Sequence, residues 1–153
     1  MRIAIGSDHA GYALKTVLTK WLDKQGIAYH DAGAHRCEPE DDYPDYARAV
    51  GRAVVTGEAE LGIMVCGTGV GSSIALNKIP GVRAAVCSDT FSARLSREHN
   101  DANVLCLGGR VVGTGLAKEL VKTWLEKRFS GEERHQRRLA KVAEIERLAR
   151  GGA

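Results

Sequence analysis

What most constrains this chain is that apolar runs too short for helices alternate with segments whose apolar residues recur every three or four positions. "RIAI" (residues 2–5) precedes Leu14, Val17, Leu18, Trp21 and Leu22, a helical series that closes at Gly26. "IAYHDAG" (27–33) reads as a weaker strand, followed by the polar loop "AHRCEPEDDYP" and a helix over about 45–56. "LGIMVC" (61–66), "VRAAVCS" (82–88) and "NVLCLG" (103–108) are three further strands. The first two are separated by a glycine loop and the short helix "SIALNKI"; Phe91 and Leu95 mark a fourth helix, and Ala117, Leu120, Val121, Trp124 and Leu125 a fifth. Strand and helix alternating five times predicts an α/β chain, a three-layer αβα fold of Rossmann-like or flavodoxin-like type with a five-stranded parallel sheet. Ligands of such sheets bind beyond the carboxyl ends of the strands, where the strand order reverses. That rule selects "GSDHAG", "CGTGVGSS" and "SDTF" as the places to look.

With 153 residues the chain is expected to form one domain, 1–153, large enough to need no staples. A net charge of +3 with mixed signs leaves no broad footprint for nucleic acid. No segment approaches 18 consecutive apolar residues and "MRIAIGSDHAG" breaks early, so neither a membrane span nor a secretory signal is expected, and a cytoplasmic location is. Cys37, Cys66, Cys87 and Cys106 include no C-x-x-C pair, which favours free thiols.

The glycine loop carries the strongest chemistry. Gly67, Thr68, Gly69, Val70 and Gly71 lie between a strand and a helix, so backbone N–H groups can converge on an oxyanion at a helix N-terminus. No Lys-Ser or Lys-Thr pair follows, so this is not a Walker A loop. A dinucleotide loop, with Asp89 about twenty residues on, and a merely tight turn both remain open. Cys66 favours catalysis, because a thiol facing amides and a helix N-terminus is biased toward thiolate and can act as base or nucleophile. Cys87 and Cys106 read as small buried hydrophobes, and Cys37, His30 and His35 have no legible role.

Asp8 and His9 follow the first strand, where an acid and an imidazole can bind a sugar or where Asp8 can cap the first helix. His99 ends the fourth helix, where the dipole favours an imidazole. No grouping of His, Cys and carboxylates has zinc-like spacing, so neither a metal nor a cofactor is indicated. Beyond the fifth helix, Leu139, Val142, Ala143, Ile145 and Leu148 form an apolar stripe that either folds back or packs on a second subunit. Arg134 and Arg138, four apart, share a face and suit a phosphate, or are simply solvated beside Glu132 and Glu133.

Together "GSDHAG", "DYPDYA", "CGTGVGSSIALNK", "SREHNDANVLCLGGRVVG" and "RHQRR" resemble the type B ribose-5-phosphate isomerase family, whose near relatives are galactose-6-phosphate isomerase subunits; the likeness runs over residues 2–146. The resemblance implies metal-free interconversion of D-ribose 5-phosphate and D-ribulose 5-phosphate in the pentose phosphate pathway, with six-carbon phosphates of allose or galactose as alternatives and a non-catalytic nucleotide-binding module as a remoter one. It implies a homodimer, or a dimer of dimers, with the site between subunits and the tail over 131–150 crossing to the partner. It implies that Cys66 moves the proton between C1 and C2, that Thr68 and the amides from Gly67 through Gly69 and Val70 to Gly71 hold the enediolate, and that His99 helps open the furanose. Asp8, Tyr43 and Asn100 match sugar contacts; His9, Arg110, Arg134 and Arg138 match phosphate ligands. Some members carry a glutamate a few residues after the loop as base; Val70, Gly71, Ser72 and Ser73 stand here, so the chain resembles the cysteine branch.

Overall fold

In the computed structural model, which describes residues 1–151, the alternation is realised as β1 (Arg2–Ser7), α1 (Tyr12–Lys24), β2 (Ala28–Asp31), α2 (Tyr43–Val55), β3 (Leu61–Cys66), α3 (Val70–Leu76), β4 (Ala84–Val86), α4 (Thr90–Glu98), β5 (Val104–Gly108), α5 (Thr114–Glu126) and α6 (Glu133–Ala149). The sheet is wholly parallel, in the order β2-β1-β3-β5-β4. Alternate residues of each inner strand serve opposite faces. Ile3, Ile5, Ile63, Val65, Leu105 and Leu107 meet α1 and α5 through Leu18, Leu22, Leu120 and Trp124. Ala4, Met64, Val104 and Cys106 meet α2 and α3 through Ala47, Val50 and Leu76. The three layers expected from the sequence are therefore present. Among the described residues no helix is long and apolar enough to cross a membrane.

Strand order was not legible in the pattern, and it follows from burial. β5 is buried along its whole length and sits inside the sheet beside β3, whereas β4 keeps only three residues and leaves Val86 exposed at the edge. The last two strands are thus exchanged relative to the flavodoxin order. The reversal falls between β1 and β3, so "GSDHAG" and "CGTGVGSS" flank the crevice, while "SDTF" follows the edge strand.

Two boundaries differ from the expected ones. α2 starts two residues early, at Tyr43, because Asp42 is extended and Pro44 is preset for a first turn. Gly11 rather than Asp8 is the N-cap of α1; the Asp8 carboxylate accepts the Gly11 amide at 2.9 Å just ahead of the helix. α4, the helix that Phe91 and Leu95 mark, buries Ala93, Ser96 and Arg97, leaves Leu95 half-buried and turns Phe91 to solvent. The inner strands dominate stability: Leu105→Ala is expected to cost about 2–5 kcal/mol, read from urea unfolding, because a fully buried leucine between two helical layers leaves a void.

Candidate active site

Cys66 is the last residue of β3, and its sulfur turns toward the glycine loop. Sγ accepts the Gly69 amide at 3.1 Å and faces the Ser72 hydroxyl at 3.2 Å. Gly69 has φ +81°, a left-handed conformation that glycine adopts at little cost, and this bend returns the amide to the sulfur. The Ser72 hydroxyl lies equally close to the Gly69 carbonyl, at 3.2 Å, so its one proton serves either that oxygen or the sulfur. Among the described residues the Thr68 and Gly71 amides donate to no acceptor, while the Thr68 hydroxyl accepts the Val70 amide at 3.3 Å. Free N–H groups beside a sulfur that can hold a proton form an arrangement suited to carbon acids.

Three other loops enclose this one. In the turn after β5, Gly109 and Arg110 donate their amides to the Cys66 and Gly67 carbonyls at 2.8 and 3.0 Å, and the Arg110 guanidinium lies over Gly67, 3.4 Å from where a Cβ would stand. The Tyr43 ring, at the start of α2, packs on Gly71, where a Cβ would come within 2.8 Å of the ring. Asp8 is buried and His9 half-buried in the loop after β1. His9 Nδ1 and amide both bond Asp41 Oδ1, at 2.7 and 3.0 Å. That hydrogen bond, more than the charges of Asp8 and Asp41, holds the imidazole pKa above its ordinary value. Asp8, His9 and Asp41 each place one donor atom within 4.8 Å of the others. Yet Nδ1 is taken by Asp41 and Arg110 faces the same imidazole, so the group reads as a charge-paired dyad open to anions rather than a cation cage.

The remaining expected residues lie elsewhere. Cys66 stands at the carboxyl end of β3, but His99 and Asn100 close α4 and lead into the amino end of β5. From Gly62, paired with Val104, to Cys66, paired with Gly108, the strand advances about 13 Å. His99 stacks on His135 of α6, ring centres 4.1 Å apart and nearly parallel. His135 is the one buried residue of that helix; burial, then His99, hold its pKa below the usual imidazole value. Arg134 pairs with Glu132 at 2.8 Å, and Arg134 and Arg138 are both exposed. Among the described residues neither bonds to the glycine loop. One chain therefore assembles Cys66, Thr68, Asp8, His9, Tyr43 and Arg110 at one end of the sheet and His99, Asn100, Arg134 and Arg138 at the other.

Several secondary readings are settled by contacts. Asp89, the acid a dinucleotide loop would need, caps α4 by accepting the Ser92 amide at 2.7 Å. All four cysteines are free; Cys87 and Cys106 are buried, which pushes Cys87 up to about 11, and Cys37 is exposed. Asp41, Ser72 and His135 were not singled out in the sequence. Asp41 is 32 residues from His9 in the chain, and Ser72 and His135 acquire roles only through contacts across elements.

The family model described as Ribose/Galactose Isomerase matches residues 3–142. The chain belongs to this family. It is 49% identical over 145 residues to ribose-5-phosphate isomerase B of Escherichia coli, covering 95% of this chain and 96% of that one. Among solved structures, ribose-5-phosphate isomerase B of Clostridium thermocellum superposes with a TM-score of 0.94 at 52% identity, over 97% of this chain and 99% of that chain. The Mycoplasma genitalium enzyme, solved with bound ribulose-5-phosphate, gives 0.90 at 39%, over 95% and 96%. Within the ribose/galactose isomerase family, then, this chain carries a thiol cradled by its own loop. Ser72→Ala is expected to slow alkylation of Cys66 by iodoacetamide, followed by peptide mass, and to lower kcat about tenfold. Asp89→Ala should lower the urea midpoint and leave turnover unchanged, as a cap and not a ligand requires.

Proposed function

We propose that this chain is an aldose–ketose isomerase interconverting D-ribose 5-phosphate and D-ribulose 5-phosphate. The observation that carries the reading is the Cys66 sulfur seated against the Gly69 amide beside unused N–H groups of Thr68 and Gly71. Family membership and relatives named ribose-5-phosphate isomerase B support the same substrate class.

The chemistry follows from these parts. His99 assists opening of the furanose by moving a proton between the ring oxygen and the anomeric hydroxyl. Cys66, as thiolate, removes the proton on C2 of the open aldehyde. The electron pair passes into the C1–C2 bond and onto O1, where amides of the Gly67–Gly71 loop meet the developing charge; each such donor contributes about 3 kcal/mol to a charged intermediate. A proton moves from O2 to O1, and the Cys66 thiol returns its proton to C1, leaving a carbonyl at C2. Asp8, Tyr43 and Asn100 hold hydroxyls, while His9, Arg110, Arg134 and Arg138 bind the phosphate, whose binding energy orients the reacting carbons.

A complete site on this reading takes residues from two chains, so the active form is a homodimer. The separation of His99, Asn100, Arg134 and Arg138 from Cys66 along the sheet supports it. So does the bare apolar stripe of α6: Val142, Ile145 and Leu148 are more than half exposed, and Val142 and Ile145, with Leu139, border a groove of about 770 Å³ against Val82 and Ala84. A second copy covers the stripe and brings its α4 terminus and α6 arginines to the Cys66 loop.

Cys66→Ala is expected to lose nearly all turnover while still binding ribose 5-phosphate; parental turnover would remove Cys66 as the base. Side-by-side rates with ribose, allose and galactose phosphates should favour the five-carbon substrate. Deleting residues 131–153 should abolish activity and yield monomers in sedimentation, and a fully active monomer would contradict the shared site.

A further inference from the structure

We propose that Asp41 is a positioning residue that holds His9 as a cationic Nε2–H donor for the substrate phosphate. The anion's identity rests on the isomerase reading above; the dyad itself does not. Asp41 Oδ1 receives both the amide and the Nδ1–H of His9, so one oxygen fixes the ring's backbone and its orientation together. With Nδ1–H committed, the proton that comes and goes is on Nε2, the nitrogen left for a ligand.

The carboxylate is well placed to demand a cation. Its side chain is only 6% exposed, and the imidazole is the cation bonded to it, the neutral Tyr46 phenol being the other group that faces it. The groups around the dyad come from four loops and helices. Asp8 precedes His9 and adds negative charge; Arg110, from the turn after β5, opposes protonation; the Cys37 thiol lies 3.8 Å from the His9 carbonyl; and Tyr46 of α2 faces Asp41, whose charge, after burial, raises the phenol. Asp41 outweighs the rest at His9, and its hydrogen bond is the largest single cause of the raised imidazole pKa. The segment that delivers Asp41 is polar and outside the regular elements, but it ends at Asp42, where α2 begins beneath Tyr43. Substrate contact by Tyr43 and charge control of His9 thus come from adjacent turns of chain.

The sign of the pH effect follows. A pKa raised in the folded protein keeps His9 cationic to higher pH, and phosphate affinity falls as pH rises through that value. Asp41→Asn lowers the value, so the fall begins earlier. KM and kcat for ribose 5-phosphate, measured from about pH 5.5 to 9, should show KM raised about tenfold near pH 7.5 with a far smaller change in kcat. The KM ratio of variant to parent should shrink toward one at the acid end; ionisation of the substrate phosphate is common to both and cancels. In a His9→Asn background, Asp41→Asn should add nothing further.

Two measurements do not depend on turnover. Nitrogen-edited spectra of the parent should show His9 Nδ1 protonated throughout the titration, with Nε2 losing the proton. Inorganic phosphate should shift the His9 ring signals in the parent and much less in Asp41→Asn. A parent that turns over no sugar phosphate yet shows this titration refutes the isomerase reading and leaves the dyad standing. An Nε2–H tautomer in the parent, an unchanged His9 titration in Asp41→Asn, or a KM ratio independent of pH overturns the positioning role.

Discussion

The hydrogen bond from the Gly69 amide to the Cys66 sulfur is the contact on which the rest of the site depends. It exists because a buried central strand ends in a thiol and a left-handed glycine bends the chain back at once. The Ser72 hydroxyl, from the first turn of α3, faces the same atom. On the proposed mechanism the sulfur already faces the Gly69 amide, so proton removal from carbon and return of that proton would need no rearrangement of the loop. The fully apolar β3 and β5 hold the geometry, since both run through the middle of the sheet and end side by side at Cys66 and Gly108.

Around that sulfur the fold separates tasks by loop. The turn after β5 lays Arg110 over the glycine loop, the start of α2 lays Tyr43 against it, and the loop after β1 supplies Asp8 and His9. The turn after β5 and the loop after β1 are short and tied by backbone bonds to β3 and its loop, so their groups are held before any ligand arrives. The opposite end of the sheet carries a different assembly, in which His99 rests on His135 and the α6 arginines stand in solvent. Neither end holds the full set of residues that the proposed mechanism uses, and the proposed homodimer joins them.

How much of this could be read from residues alone depended on whether the cause was local. The strands were legible because β3 and β5 are apolar throughout, and "LGIMVC" matched its strand residue for residue. The Cys66 loop was legible because the donor, the bend and the thiol lie within four residues of one another. Strand order was not, because the exchange of β4 and β5 reflects comparative burial across the whole sheet. Asp41 was invisible for a similar reason: it sits in a run of acidic residues that looks solvated, and only the path of the chain from β2 to α2 brings it to His9. Phe91 marked α4 by its spacing but not the buried face of that helix, since α4 leaves Phe91 in solvent and buries Arg97 by bonding it to the Ala102 carbonyl at 2.6 Å and to Asp101.

A crystal structure of the protein with ribulose 5-phosphate tests the central claim most directly. The account predicts C1 and C2 against Cys66 Sγ, O1 and O2 within reach of the Gly67–Gly71 amides, and the phosphate on His9 and Arg110 with arginines from a second chain. Sugar carbons bound away from the sulfur, with the glycine loop amides facing only water, would contradict it.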